Sequence, residues 1–125
     1  MKKMSISSPE WDTPKAVIAG NFVFLSGTTS KEPNGHYLAS GDIIAQTHIV
    51  IKRIESDLKE LGSSLENVVK VTVFIDDIKN WKSFNSAYLE HFKTERPART
   101  TIQAGGFEEG ACVELDVIAI IPDDG

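Results

Sequence analysis

Hydrophobic and polar positions change period several times along this chain. Phe22-Val23-Phe24-Leu25 is a short apolar, aromatic run preceded by Gly20-Asn21, a turn-forming pair. It predicts a strand, with residues 16–18 as the other arm of a hairpin. Glu32-Pro33-Asn34-Gly35 reads as a turn or loop. From Asp42 the period becomes three and four. Ile44, Thr47, Ile51, Ile54, Leu58 and Leu61 form one row between a capping aspartate and Gly62, which predicts a helix with a single buried stripe. Residues 68–75 are too short and too β-branched for a second helix and predict a buried strand. A second helix is expected from Asn80 through Phe92, with Trp81, Phe84, Tyr88 and Phe92 packing along one face and Pro97 ending it. Residues 100–103 and 112–121 predict two further strands around a Gly105-Gly106 turn.

The last strand says most about architecture. Val113, Leu115, Val117, Ala119 and Ile121 share one wholly apolar face, as expected beneath helices. Cys112, Glu114, Asp116, Ile118 and Ile120 share the other, with carboxylates at one end and isoleucines at the other. The order β-β-α-β-α-β-β predicts an α+β layer with both helices on one face of the sheet. The mixed face is either an ordinary half-exposed surface or one buried in an oligomer, with Glu114 at or near a cleft.

Composition narrows the class. The 125 residues, 41% hydrophobic and 25% charged, suit one domain over residues 1–125 with a core that needs no disulfide or structural metal. A net charge of −5 with scattered acidic residues argues against a nucleic-acid partner. The single cysteine, Cys112, excludes an intrachain disulfide and reads as a small buried residue. His36, His48 and His91 share no spacing, so no metal site is expected. The polar residues after the opening Met-Lys-Lys-Met resemble no signal peptide, and no apolar run approaches the roughly 20 residues that span a bilayer. A cytoplasmic protein without membrane partners is expected.

One constellation is more specific. Pro97-Ala98-Arg99-Thr100-Thr101 precedes Glu114, which stands within Val-Glu-Leu-Asp-Val-Ile-Ala. Gly20-Asn21-Phe22-Val23-Phe24-Leu25-Ser26-Gly27, Ala45-Gln46-Thr47, and Asp57-Leu58-Lys59-Glu60-Leu61-Gly62 with the strand after it stand in matching order. Phe84-Asn85 and Tyr88 also fit. Through these residues the chain resembles the Rid, or YjgF-like, family of reactive intermediate (enamine/imine) deaminases over nearly its whole length. The resemblance implies a chorismate-mutase-like protomer of the bacillus type. It also implies a homotrimer with sheets inward as a central barrel, and three clefts between neighbouring subunits that bind small carboxylates.

The implied reaction is hydrolysis of 2-aminoacrylate or 2-imino acids to a keto acid and ammonia, with no metal or organic cofactor. Arg99, whose planar fork binds a carboxylate bidentately, is the implied anchor. Glu114 is the implied group that positions water and relays a proton. Ser26, Gly27, Thr28, Thr101, Thr13 and Asn85 are the implied substrate-binding residues. On residue type alone Arg99 reads equally as half of a structural ion pair, with Glu114 itself a candidate partner. The chain departs from established deaminases of the family, which usually carry tyrosine where Thr13 stands. They often carry cysteine at Thr101 and glutamine at Thr28. A larger, 2-aminomuconate-like substrate suits the opened pocket. A non-catalytic trimer that binds small carboxylates or acts as a chaperone is the alternative from another class.

Overall fold

The computed structural model describes residues 3–123. One six-stranded mixed sheet runs in the order β1-β2-β3-β6-β4-β5. β2 (Ala16–Ala19) and β3 (Phe22–Leu25) make the expected hairpin. Ala19 pairs directly with Phe22, so Gly20-Asn21 is a two-residue loop, and Gly20 takes a φ of 61°. β4 (Val68–Ile75) lies parallel to β5 (Ala98–Gln103) and antiparallel to β6 (Val113–Ile120), which also pairs with β3.

There is one strand more than the hydrophobic pattern predicts. β1 (Lys3–Ile6) pairs antiparallel with β2, so the order is β-β-β-α-β-α-β-β. Lys3, Met4 and Ser5 are exposed and carry no alternation. Only backbone pairing along the edge of β2 makes this segment a strand, and side-chain pattern does not record it.

α1 (Ile43–Glu60) starts where Asp42 Oδ1 accepts the Ala45 N–H at 3.0 Å, and Gly62 follows it with a φ of 84°. Its buried stripe keeps Thr47, Ile51, Ile54 and Leu58 of the expected row and differs at the start. Ile43 and Val50 face the core with Thr47, Ile51, Ile54 and Leu58, whereas Ile44 is 48% exposed. A step of one residue turns the side chain by about 100°, and at this edge of the stripe that turn encloses Ile43 and leaves Ile44 outside. Asp77 Oδ1 caps a short 3-10 turn by accepting from the Lys79 N–H at 2.9 Å, and α2 (Trp81–Leu89) follows without a side-chain cap from Asn80. α2 ends well before Pro97. Phe84 and Tyr88 are buried in it, Trp81 is 39% exposed, and Phe92 stacks on Tyr88 from beyond the helix end, with ring centroids 4.5 Å apart.

Both helices cover one face of the sheet. Val23, Val71, Val73, Val113, Leu115 and Ala119 are fully enclosed there against Val50, Ile51, Leu58, Phe84 and Tyr88. The other face is more apolar than β6 alone implies. Phe22 stands opposite Ile120 and Phe24 opposite Ile118, and both phenylalanines are 41% exposed.

Gln46, fully buried on α1, holds the loops to this frame. Its Nε2 donates to the carbonyls of Leu38, Ala39 and Gly110 at 3.2, 3.2 and 2.7 Å, and its Oε1 accepts from the Cys112 N–H at 2.9 Å.

Candidate functional site

The structure sorts the sequence-derived site residues into two groups. The first gathers where β3 ends. Ser26 Oγ donates to the Pro14 carbonyl at 2.6 Å and the Ser26 N–H to the Lys15 carbonyl at 3.0 Å. Two residues on, Thr28 and Leu115 exchange backbone hydrogen bonds of 2.9 and 3.1 Å. Gly27, held between these anchors, lies directly on the Glu114 side chain. A Cβ there would overlap the Glu114 carboxylate, so glycine is needed for close approach. Thr13, Ser26, Gly27, Thr28 and Glu114 line one cleft of about 750 Å³, with Trp11 on its wall.

Glu114 is half-buried in that cleft. Burial pushes its carboxyl pKa up, and the neighbouring Asp116 charge pushes it the same way. Asp116, next on the same face, is itself raised by burial. Such a carboxyl holds its proton to higher pH than an ordinary glutamate, which suits a group that must both give and take protons.

The second group lies against α2. Arg99 on β5 stacks on aromatic faces, with its Cζ 4.6 Å from the Tyr88 ring centroid and 5.7 Å from that of Phe84. None of the ion pairs among the described residues includes Arg99. Thr101, two residues on, shares its face of the strand. Thr101 Oγ1 and Tyr88 OH are buried without a hydrogen-bond partner among the described residues. Burial holds the Tyr88 phenol at about 12, against the lowering effect of Arg99 and Arg96. Asn85 is half-buried one turn before Tyr88 on α2.

Arg99 and Glu114 do not meet within one chain. β4 separates their strands, and Arg99 pairs with buried Val71 whereas Glu114 pairs with Phe74. Arg99 therefore faces the helices and Glu114 faces away from them. Two strand spacings and a three-residue offset put their Cα atoms about 14 Å apart. The intrachain Arg99–Glu114 ion pair weighed from sequence is not formed.

One feature is not legible in the sequence. His48 Nδ1 and His91 Nε2 meet at 2.8 Å where α1 packs on α2, and His91 is lowered by burial and then by His48. They lie far apart in sequence, so only the helix packing brings them together. Among the described residues no group of three His, Cys, Asp or Glu side chains is placed to hold a metal. The Cys112 thiol is buried and pushed up by that burial, away from thiolate chemistry. No described helix is long and apolar enough to cross a membrane.

This fold and sequence recur in known proteins. A RutC family protein of Pyrococcus abyssi is 35% identical over 105 residues, covering 84% of this chain and 83% of that protein. The human 2-iminobutanoate/2-iminopropanoate deaminase is 30% identical over 106 residues, covering 85% of this chain and 77% of that protein. Among solved structures, yeast Mmf1 superimposes with a TM-score of 0.86 at 31% identity, covering 97% of this chain and all of that one. A Rid family protein of Yersinia pestis does so with a TM-score of 0.85 at 30% identity, covering 96% of this chain. Residues 8–121 match the family described as Endoribonuclease L-PSP, so both helices, the cleft and every described strand except β1 lie within the match. The chain belongs to that family, the YjgF/Rid family.

Proposed function

We propose that this protein hydrolyses reactive enamine/imine acids of the 2-aminoacrylate and 2-imino acid type to a keto acid and ammonia. The observation that carries the reading is Glu114, a desolvated carboxyl with a raised pKa set in a cleft against a glycine. The name of the human relative is consistent with it.

The enamine first takes a proton on carbon and gives one up from nitrogen, which makes it the imine. Arg99 binds the substrate carboxylate through its guanidinium fork, which stacking on Tyr88 keeps oriented. Glu114 removes a proton from water as the oxygen adds to the imine carbon. It returns that proton to nitrogen to complete the carbinolamine, then takes the hydroxyl proton as the carbonyl forms and delivers it to the nitrogen that leaves as ammonia. One carboxyl serves both half-reactions, a role typically worth ~10²–10⁴-fold. Ser26, Gly27 and Thr28 form the wall on the Glu114 side, and Thr101 and Asn85 the wall on the Arg99 side. Neither half-reaction requires a metal or an organic cofactor.

A single small substrate cannot span residues about 14 Å apart on opposite faces of one sheet. The complete site therefore joins Glu114 of one copy to Arg99 of the next. A homotrimer with its sheets inward supplies this, and it covers the Phe22, Phe24, Ile118 and Ile120 face. The reading places a small carboxylate substrate in a cytoplasmic trimer without nucleic acid or membrane.

Complementation tests the reading. An amino-acid oxidase generates 2-iminopropionate in situ, and semicarbazide trapping reports its lifetime. The parent shortens that lifetime, whereas Arg99→Ala and Glu114→Gln each fail to. Co-expressed, the two variants regain about a quarter of parent activity, because random mixing reunites the native pair in that share of clefts. Absence of turnover by a folded parent would overturn the deaminase reading. Absence of regain, with light scattering showing mixed trimers, would overturn the shared site.

A further inference from the structure

The cleft that holds Glu114 is also lined by a second polar group. Lys31 and Tyr37 stand side by side there, paired across a small antiparallel bridge. The bridge is closed by the turn from Glu32 to Gly35, where the Gly35 N–H donates to the Glu32 carbonyl at 2.8 Å. Arg53 on α1 locks the loop from behind, with Nη1 donating to the carbonyls of Thr29 and Lys31 at 3.1 and 2.7 Å. Arg53 Nη2 also donates to Glu32 Oε2 at 2.6 Å. The Lys31 ammonium lies 5.4 Å from the Trp11 ring centroid.

These two donors converge on one point. Lys31 Nζ and Tyr37 OH both donate to the same oxygen, Glu108 Oε1, at 2.7 and 3.0 Å. Glu108 comes from the loop between β5 and β6. Its side chain is 61% exposed, and its loop carries Gly106 and Gly110 at φ of 79° and 90°. A rigid Lys–Tyr cradle thus holds a carboxylate, and the carboxylate in it belongs to an exposed, glycine-flanked loop. Burial, then Glu108, pushes the Tyr37 phenol to about 12, so it remains a donor at neutral pH. The Glu114 charge also acts on Tyr37, so cradle and reacting carboxyl are electrostatic neighbours.

We propose that Lys31 and Tyr37 are a second carboxylate subsite, that the preferred substrate is an imino or enamino dicarboxylate, and that Glu108 fills the subsite when no substrate does. This rests on the reading above, in which Arg99 of an adjacent copy holds the first carboxylate. Lys31, Tyr37, Thr13 and Glu114 line one and the same cleft, of about 750 Å³ in the single chain. A terminal carboxylate of the substrate takes the place of Glu108 on Lys31 and Tyr37. The loop glutamate returns to water, where its exposure makes release cheap.

Binding by titration calorimetry tests this without turnover. The probes are 2-oxoglutarate and 2-oxoadipate, each against the monocarboxylate of equal chain length, 2-oxopentanoate or 2-oxohexanoate. In the parent at least one dicarboxylate binds about tenfold or more tighter than its monocarboxylate, as a charge-assisted pair requires. Lys31→Met collapses that ratio to near one, and Glu108→Gln widens it by removing the competing carboxylate. Equal binding of both members at both lengths by the parent overturns the subsite, as does a ratio that survives in folded Lys31→Met. Dicarboxylate preference without hydrolysis of either imine class would sink the deaminase reading and leave the subsite standing. Imine hydrolysis without that preference does the reverse.

Discussion

Gln46→Leu isolates the clip that holds the loops of the cleft. Leucine fills much of the same volume and removes all four hydrogen bonds. The three carbonyls do not become orphans. Ser30 Oγ still donates to Leu38 at 2.9 Å, the Asp42 N–H to Ala39 at 2.9 Å and the Gly41 N–H to Gly110 at 3.1 Å. The buried Cys112 N–H has no such reserve, because its partner is Gln46 Oε1. An orphaned donor costs about 1–3 kcal/mol and each other lost bond about 1, offset by roughly 1.5–3 from the added apolar burial. The sum is about 3 kcal/mol. With an unfolding entropy of about 2.1 cal/mol/K per residue, the melting temperature should fall by roughly 10 °C. Circular dichroism melts measure this, and hydrogen exchange should show the Cys112 amide losing its protection. A fall under about 4 °C, with that amide still protected, would refute the assignment of Gln46 as the clip.

Glu114→Gln separates stability from activity through pH. The folded-state pKa of Glu114 is raised, so the native chain holds a proton that the unfolded chain has lost. The parent therefore loses stability as pH rises through the ordinary glutamate pKa towards the folded one. Glutamine removes that loss, so the variant melts above the parent at pH 8 and the gap closes below the ordinary glutamate pKa. Imine hydrolysis falls ~10²–10⁴-fold at the same time. A variant that melts below the parent at pH 8 would show that Glu114 is not a desolvated carboxyl. Gly27→Ala puts a methyl group where the Glu114 carboxylate lies, and the carboxylate can swing aside for about 0.5–1.5 kcal/mol of rotamer strain. Its melting temperature should stay within a few degrees while turnover drops at least tenfold, and retained turnover would remove Glu114 placement from the mechanism.

The elements that pattern could specify came out nearly as read. The β2–β3 hairpin, β4, α1 with its aspartate cap, and the apolar face of β6 all declare themselves through period and turn chemistry. β1 was missed because an edge strand is made by hydrogen bonds to its neighbour, which leave no mark in its side chains. Thr47, Ile51, Ile54 and Leu58 form the α1 stripe as the spacing predicts; its first position differs because Ile43 and Ile44 are equally apolar and only the sheet decides which is enclosed. Spacing alone puts Trp81 in the packing row of α2, yet burial there begins with Phe84. At the site, linear motifs brought Arg99 and Glu114 to notice. Strand register then showed them to be on opposite faces, which one-dimensional spacing does not contain. The meeting of Lys31 and Tyr37 with Glu108 is not legible in the sequence for a related reason, since these contacts span 77 and 71 residues of chain.

The strand made last occupies the middle of the sheet. β6 pairs with β3 on one side and β4 on the other, so until residues 113–120 arrive the sheet is two separate pieces. During synthesis β3 and β4 must wait with unpaired edges, and Val23, Val71 and Val73 wait without their enclosing neighbours. Folding on the ribosome then ends in one late closing step, with most long-range pairing formed only after nearly the whole chain has emerged. A stop codon just before β6 would yield an open sheet prone to edge-to-edge aggregation.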